Sequence, residues 1–100
     1  MHKLFVMYKK PADPAAFEKY YSEVHLPLAR RIPGLTRLVI NRGVVPSWGV
    51  PPEYYLIAEL HFKDQAAFDA AMASPESAAT SKDVRKFAAD IVTMMVVRED

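Results

Sequence analysis

The sequence predicts an α+β domain of element order β-α-β-β-α-β, with helices laid on one face of an antiparallel sheet. Three observations predict it. β-favouring segments alternate in polarity, helical apolar spacing runs between them, and the pattern Asp-x-Ala-Ala-Phe recurs at Asp13 and Asp64, each time just after a strand.

Residues 3 to 8 alternate and read as the first strand. Asp13-Pro14 then supplies an N-cap followed by proline at the first helical position, where a missing N–H costs nothing. Phe17, Tyr20, Tyr21, Val24 and Leu28 follow at helical spacing as one apolar stripe. Pro27 removes an intrahelical hydrogen bond and bends the last turn, and Pro33-Gly34 ends the helix. The second strand runs from Leu35 to Val44. Pro46-Ser47-Trp48-Gly49-Val50-Pro51-Pro52 reads as a stiff loop, because proline donates no ladder bond.

The third strand spans Tyr54 to Phe62 and is the most informative. One face (Tyr54, Leu56, Ala58, Leu60, Phe62) is apolar and belongs against helices; the other (Tyr55, Ile57, Glu59, His61) is mixed. Asp64 caps the second helix, with Phe68 and Met72 inward; Ser74-Pro75 starts a further helical piece and Ser81 another. A fourth strand, Ile91 to Val97, closes the ferredoxin-like order.

Composition narrows the chemistry. The chain has 100 residues, enough for a single domain over residues 1–100. Thirteen basic against twelve acidic side chains leave +1, too balanced for a protein built to grip a phosphate backbone. RNA-recognition motifs share the strand order, but the third strand here lacks their basic-Gly-aromatic signature and carries Glu59. The absence of cysteine excludes thiolate nucleophiles, disulfides and Cys-held metals. Three glycines and no Walker or GxGxxG pattern leave no nucleotide cradle. No stretch reaches the roughly 18 apolar residues of a membrane span, and the start is too briefly apolar for a signal peptide, so a cytoplasmic location is expected.

His25 is the candidate for chemistry. Helical projection puts it at the edge of the apolar stripe beside Tyr21, at the rim of a helix–sheet crevice, where an imidazole suits acid/base work. A packed structural histidine fits the same spacing. Tyr20, Tyr21, Tyr54 and Tyr55 supply amphipathic walls for a pocket, or simply core packing. Arg31 projects near the stripe and suits a substrate carboxylate, while Trp48 is placed to serve as a lid or a partner anchor. Glu59 and His61 share a strand face, but no third metal ligand is visible.

The run from Phe17 to Ala29, FEKYYSEVHLPLA, continued by Ile32-Pro33-Gly34-Leu35, resembles the EthD family. The later strand, the helix after Asp64 and Ser74-Pro75-Glu76 also look like that family, so the resemblance covers nearly the whole chain. It implies a dimeric α+β barrel, two ferredoxin-like sheets packed together with helices outside. The family takes its name from a protein associated with ethyl tert-butyl ether degradation, and is similar to methylmuconolactone methylisomerase and to cofactor-free monooxygenases. By that resemblance His25 matches a motif histidine lining a pocket between helix and sheet. A cysteine of some isomerase relatives has no counterpart, so that particular reaction is not implied.

The resulting expectation is a homodimeric protein that binds a small hydrophobic or aromatic metabolite without cofactor or metal. His25 and Tyr21 are the expected catalytic pair, with Leu28, Arg31, Trp48 and Tyr55 around the ligand. Isomerisation, elimination or lactone rearrangement fits a lone base, and the resemblance implies oxygenase-type chemistry beside isomerase or lyase chemistry. The competing expectations are a non-catalytic accessory protein to a degradation oxygenase, and a structural dimer with a packed histidine.

Overall fold

A computed structural model describes residues 1–45, 48 and 54–100. Within them β1 (His2–Tyr8), β2 (Leu35–Asn41), β3 (Leu56–Phe62) and β4 (Val92–Arg98) form a four-stranded antiparallel sheet in the order β2-β3-β1-β4. Helices α1 (Pro14–Tyr20), α2 (Leu26–Ala29), α3 (Gln65–Met72) and α4 (Pro75–Ala88) fill the connections. This is the ferredoxin-like arrangement. No described helix is long and apolar enough to cross a membrane.

The alternation of β3 fixes which face the helices cover. Leu56, Ala58, Leu60 and Phe62 are all buried, and register places Leu4, Val6 and Tyr8 of β1 beside them. Phe17, Tyr21, Leu26, Ile32, Ala71 and Ala88 pack down on this face from the helices. Burying each large apolar side chain contributes roughly 1.5–3 kcal/mol, so this one layer carries the domain. The other face aligns Phe5 with Glu59 and Met95, and Lys3 with His61 and Val97.

The repeated Asp-x-Ala-Ala-Phe pattern is a repeated cap. Asp13 accepts from the Ala16 N–H at 3.1 Å, and Asp64 accepts from the Ala67 N–H at 2.9 Å. Ser74 caps α4 in the same way through Ser77 N–H at 3.1 Å. Helix α4 then runs unbroken through Ser81, so no separate helix starts there. Ser81 interrupts neither the backbone ladder nor the apolar spacing that resumes at Val84.

The first helical region departs from the expected stripe. Between α1 and α2 the turn Tyr21–His25 is a π-helix, in which the Leu26 N–H donates to the Tyr21 carbonyl five residues back. Pro27 supplies the reason: it has no N–H to give, and its ring crowds the preceding turn. The wider turn rotates the downstream residues, so that Phe17, Tyr21, His25, Leu26, Ala29 and Ile32 are the buried ones. Val24 is exposed and Leu28 only half-buried, contrary to their place in the projected stripe.

Strand β2 ends at Asn41 rather than Val44, and β3 begins at Leu56 rather than Tyr54. Gly43, at φ +67°, turns the chain out of extended geometry. Most of the expected proline-stiffened loop, residues 46–52, lies outside the described residues; Trp48 lies within them and is 97% exposed.

Candidate functional site

A cavity of about 190 Å³ lies between the helices and the covered sheet face. Leu4, Val6 and Leu60 form its sheet wall, and Leu26, Ile32 and Val84 its helical wall. Met94 and Val96 of the edge strand also line it, yet are 45% and 52% exposed, which marks the side on which it opens. The lining is apolar apart from His25, the hydroxyls of Tyr8 and Tyr21, and Ser77, Thr80 and Ser81 on α4.

The π turn determines how His25 meets this cavity. Its Nδ1 lies 2.9 Å from Oδ2 of Asp83 on α4, and both side chains are buried. The second carboxylate oxygen, Oδ1, accepts from the Tyr20 hydroxyl at 2.6 Å. Tyr20, Asp83 and His25 thus form a chain of hydrogen bonds joining α1, α4 and the π turn. A carboxylate can only accept here, so Nδ1 carries the ring proton and Nε2 keeps its lone pair. Nε2 has no protein partner among the described residues. Tyr21 stacks on the imidazole at 5.5 Å between centroids and Phe87 packs at 5.0 Å, which holds the ring in place.

Burial pushes the His25 pKa below its ordinary value, and the hydrogen bond and charge of Asp83 pull it part of the way back. The imidazole is therefore neutral at neutral pH, and a proton arriving on Nε2 creates an ion pair with Asp83. The Tyr20 hydroxyl is harder to ionise than usual, first because it donates to Asp83. Burial raises the pKa values of Tyr8 and Tyr21 well above the usual phenol range. The Tyr8 hydroxyl is buried with no hydrogen-bond partner among the described residues, an uncommon arrangement for a polar atom.

Of the side chains expected at a site, the fold brings His25 and Tyr21 to this cavity. Leu28 and Arg31 instead line a shallow surface depression with Pro75, Glu76 and Ala79. The π turn explains both positions, because it rotates the segment after His25 away from the straight projection. Tyr55 turns its ring edge to Phe17 and donates its hydroxyl to Glu18 Oε2 at 2.8 Å. Arg42 also binds Glu18, at 2.8 Å, and is the first cause of that carboxyl's lowered pKa. Trp48 projects into solvent.

Glu59 and His61 do interact, Oε1 to Nε2 at 3.0 Å, with Asn41 donating to Glu59 Oε2 at 2.8 Å. That cluster belongs to the sheet face without helices, and no group of three metal-ligating side chains occurs among the described residues. Asp83, Tyr8 and the α4 hydroxyls escaped sequence reasoning. Asp83 sits in Ser81-Lys82-Asp83, where a charge in a helix reads as solvated. Only the fold brings it to His25, 58 residues away.

Comparison with known proteins adds context to this geometry. The EthD domain pattern matches residues 9–91. An uncharacterized 11.0 kDa protein in the thcB-thcC intergenic region of Rhodococcus erythropolis is 38% identical over 100 residues, covering 100% of this chain and 96% of that one. The crystal structure of an ethyl tert-butyl ether d (EthD) family protein from Bacillus halodurans superposes with a TM-score of 0.90 at 36% identity, covering 100% of this chain and 99% of that one. SnoaB, a cofactor-independent oxygenase from Streptomyces nogalater, shares the fold with a TM-score of 0.66 at 18% identity, over 98% of this chain and 91% of that one.

Proposed function

This chain belongs to the EthD domain family, and we propose that it binds a small hydrophobic or aromatic molecule in the helix–sheet cavity and moves a proton on it with His25. The observation that carries this reading is the hydrogen-bonded chain from Tyr20 through Asp83 to His25, placed at the wall of an apolar cavity. A histidine serving only to pack would need neither the unpartnered Nε2 nor the adjoining cavity.

The mechanism uses only the groups present. A guest seated against the apolar walls presents an acidic C–H or O–H to Nε2. His25 accepts that proton, leaving the electron pair on the guest, and the new imidazolium is stabilised by the Asp83 carboxylate through Nδ1–H. Return of the proton at another atom gives isomerisation; loss of a leaving group from the anion gives elimination. Asp83 and Tyr20 act as positioning residues, and Tyr21 fixes the ring plane. The likeness to SnoaB supports the use of this fold without a cofactor, and the reading requires none.

The test is a reaction that needs only a base in an apolar cavity. 5-Nitrobenzisoxazole, a neutral bicyclic carbon acid, loses its C–H proton as its N–O bond breaks, giving a coloured phenolate. The wild-type protein is expected to turn it over, with a rate that falls as pH drops through the His25 pKa. His25→Asn keeps an N–H donor for Asp83 but removes the base, and is expected to lower the rate by roughly a hundredfold or more. A variant rate within a few-fold of wild type removes His25 from the mechanism. Binding without turnover by either protein supports the reading as a non-catalytic accessory protein instead.

A further inference from the structure

We propose that the ligand of this cavity is uncharged, built of one or two rings with a hydroxyl or carbonyl oxygen at one end, and that carboxylates and ammonium ions are refused. The proposal rests on reading the cavity as a ligand site and specifies what that site accepts.

Charge decides first. No lysine or arginine is among the described residues lining the cavity. Arg31 lies in the outer depression and Arg42 is committed to Glu18. An entering carboxylate or phosphate would lose its water and meet the acidic Asp83 behind His25, with no cation to replace the lost hydration. An ammonium ion would gain little, because both Asp83 oxygens already accept hydrogen bonds, from Tyr20 and from His25. Neutral molecules face neither cost.

The polar groups that remain are few and clustered toward the helices. Nε2 of His25 offers one acceptor. Among the described residues Ser77 donates only to the Met72 sulfur at 3.8 Å, a weak bond that a better acceptor can replace. Ser81 lines the same side with no hydrogen bond to a described residue through its hydroxyl. Thr80 is spent on the Glu76 carbonyl at 2.8 Å. A guest hydroxyl suits Nε2 and a guest carbonyl suits the serines, while the sheet wall offers hydrocarbon apart from the Tyr8 hydroxyl.

Size sets the second limit. An apolar cavity of roughly 150 Å³ holds benzene. At about 190 Å³, opening at Met94 and Val96, this one suits a substituted single ring or two fused rings.

The test compares 2-naphthol with 2-naphthoate and 2-naphthylmethylammonium at neutral pH by calorimetry, with the His25 ring proton followed by NMR to place each ligand. 2-Naphthol is expected to bind and shift the His25 signal, and both ions to bind at least about a hundredfold more weakly. Val96→Lys, a change at a half-exposed position on the rim, is expected to recover naphthoate binding by tenfold or more without loss of the fold. Equal binding of naphthol and either ion, with His25 perturbed by both, overturns the proposal while leaving the cavity as a ligand site. No binding of any probe at millimolar concentration, or binding that leaves His25 unmoved, overturns the cavity reading and the proposal with it.

Discussion

His25 combines burial with an acidic partner, and the two act on its proton in opposite directions. Burial is the larger effect, so the folded protein binds that proton less tightly than the unfolded chain, whose histidine titrates near 6.5. Unfolding below that pH therefore takes up a proton. The His25 contribution is fully present above about pH 6.5 and is lost as pH falls toward the lowered folded value, by at most about 1.4 kcal/mol per pH unit. The carboxyls of Glu18, Glu59 and Glu99, held below 4.5, contribute only at lower pH. Urea unfolding across pH 5 to 7 is expected to show this slope in the wild type and its absence in His25→Asn. Equal slopes would mean that His25 is solvated in the folded state. Sequence reading could select His25 and Tyr21, because a polar ring beside an apolar stripe is a local signal. Asp83 has no such signal: its role depends on a pairing that only the packing of α4 on the π turn creates.

At the scale of elements, the strands and caps were legible because their causes are local. Period-two alternation places Leu56, Ala58, Leu60 and Phe62 on one face, and an aspartate three residues before a free N–H caps a helix wherever it occurs. The π turn was not legible, because a projection at 100° per residue assumes the helix it is meant to test. Pro27 signalled a disturbance but not its form. A bend keeps the register of the stripe, whereas a π turn inserts into it. That difference moves His25 from the rim to the buried side and moves Leu28 and Arg31 out to the surface depression. The same turn that relieves the proline thus aims the imidazole at Asp83.

For the whole molecule, the sheet face without helices is the unfinished part. Phe5, Met95 and Val97 lie on it, with Met95 48% and Val97 37% exposed, around the polar Asn41–Glu59–His61 cluster. The mixed face of β3 already implied this in sequence, and a second copy covering it is the proposed homodimer. Light scattering at micromolar concentration is expected to give twice the 11.3 kDa of one chain, and Met95→Glu to shift the population toward monomer. A wild-type monomer would refute the dimer while leaving the cavity, which lies on the opposite face, untouched. The proposed chemistry depends on that cavity admitting a guest to Nε2 of His25. Its most direct test is the ¹⁵N NMR spectrum of the His25 ring before and after saturation with 2-naphthol. The expected result is a protonated Nδ1 in both states and an Nε2 resonance that moves from unbonded to hydrogen-bonded on binding. A proton on Nε2 in the free protein, or an Nε2 signal unchanged by bound naphthol, would contradict it.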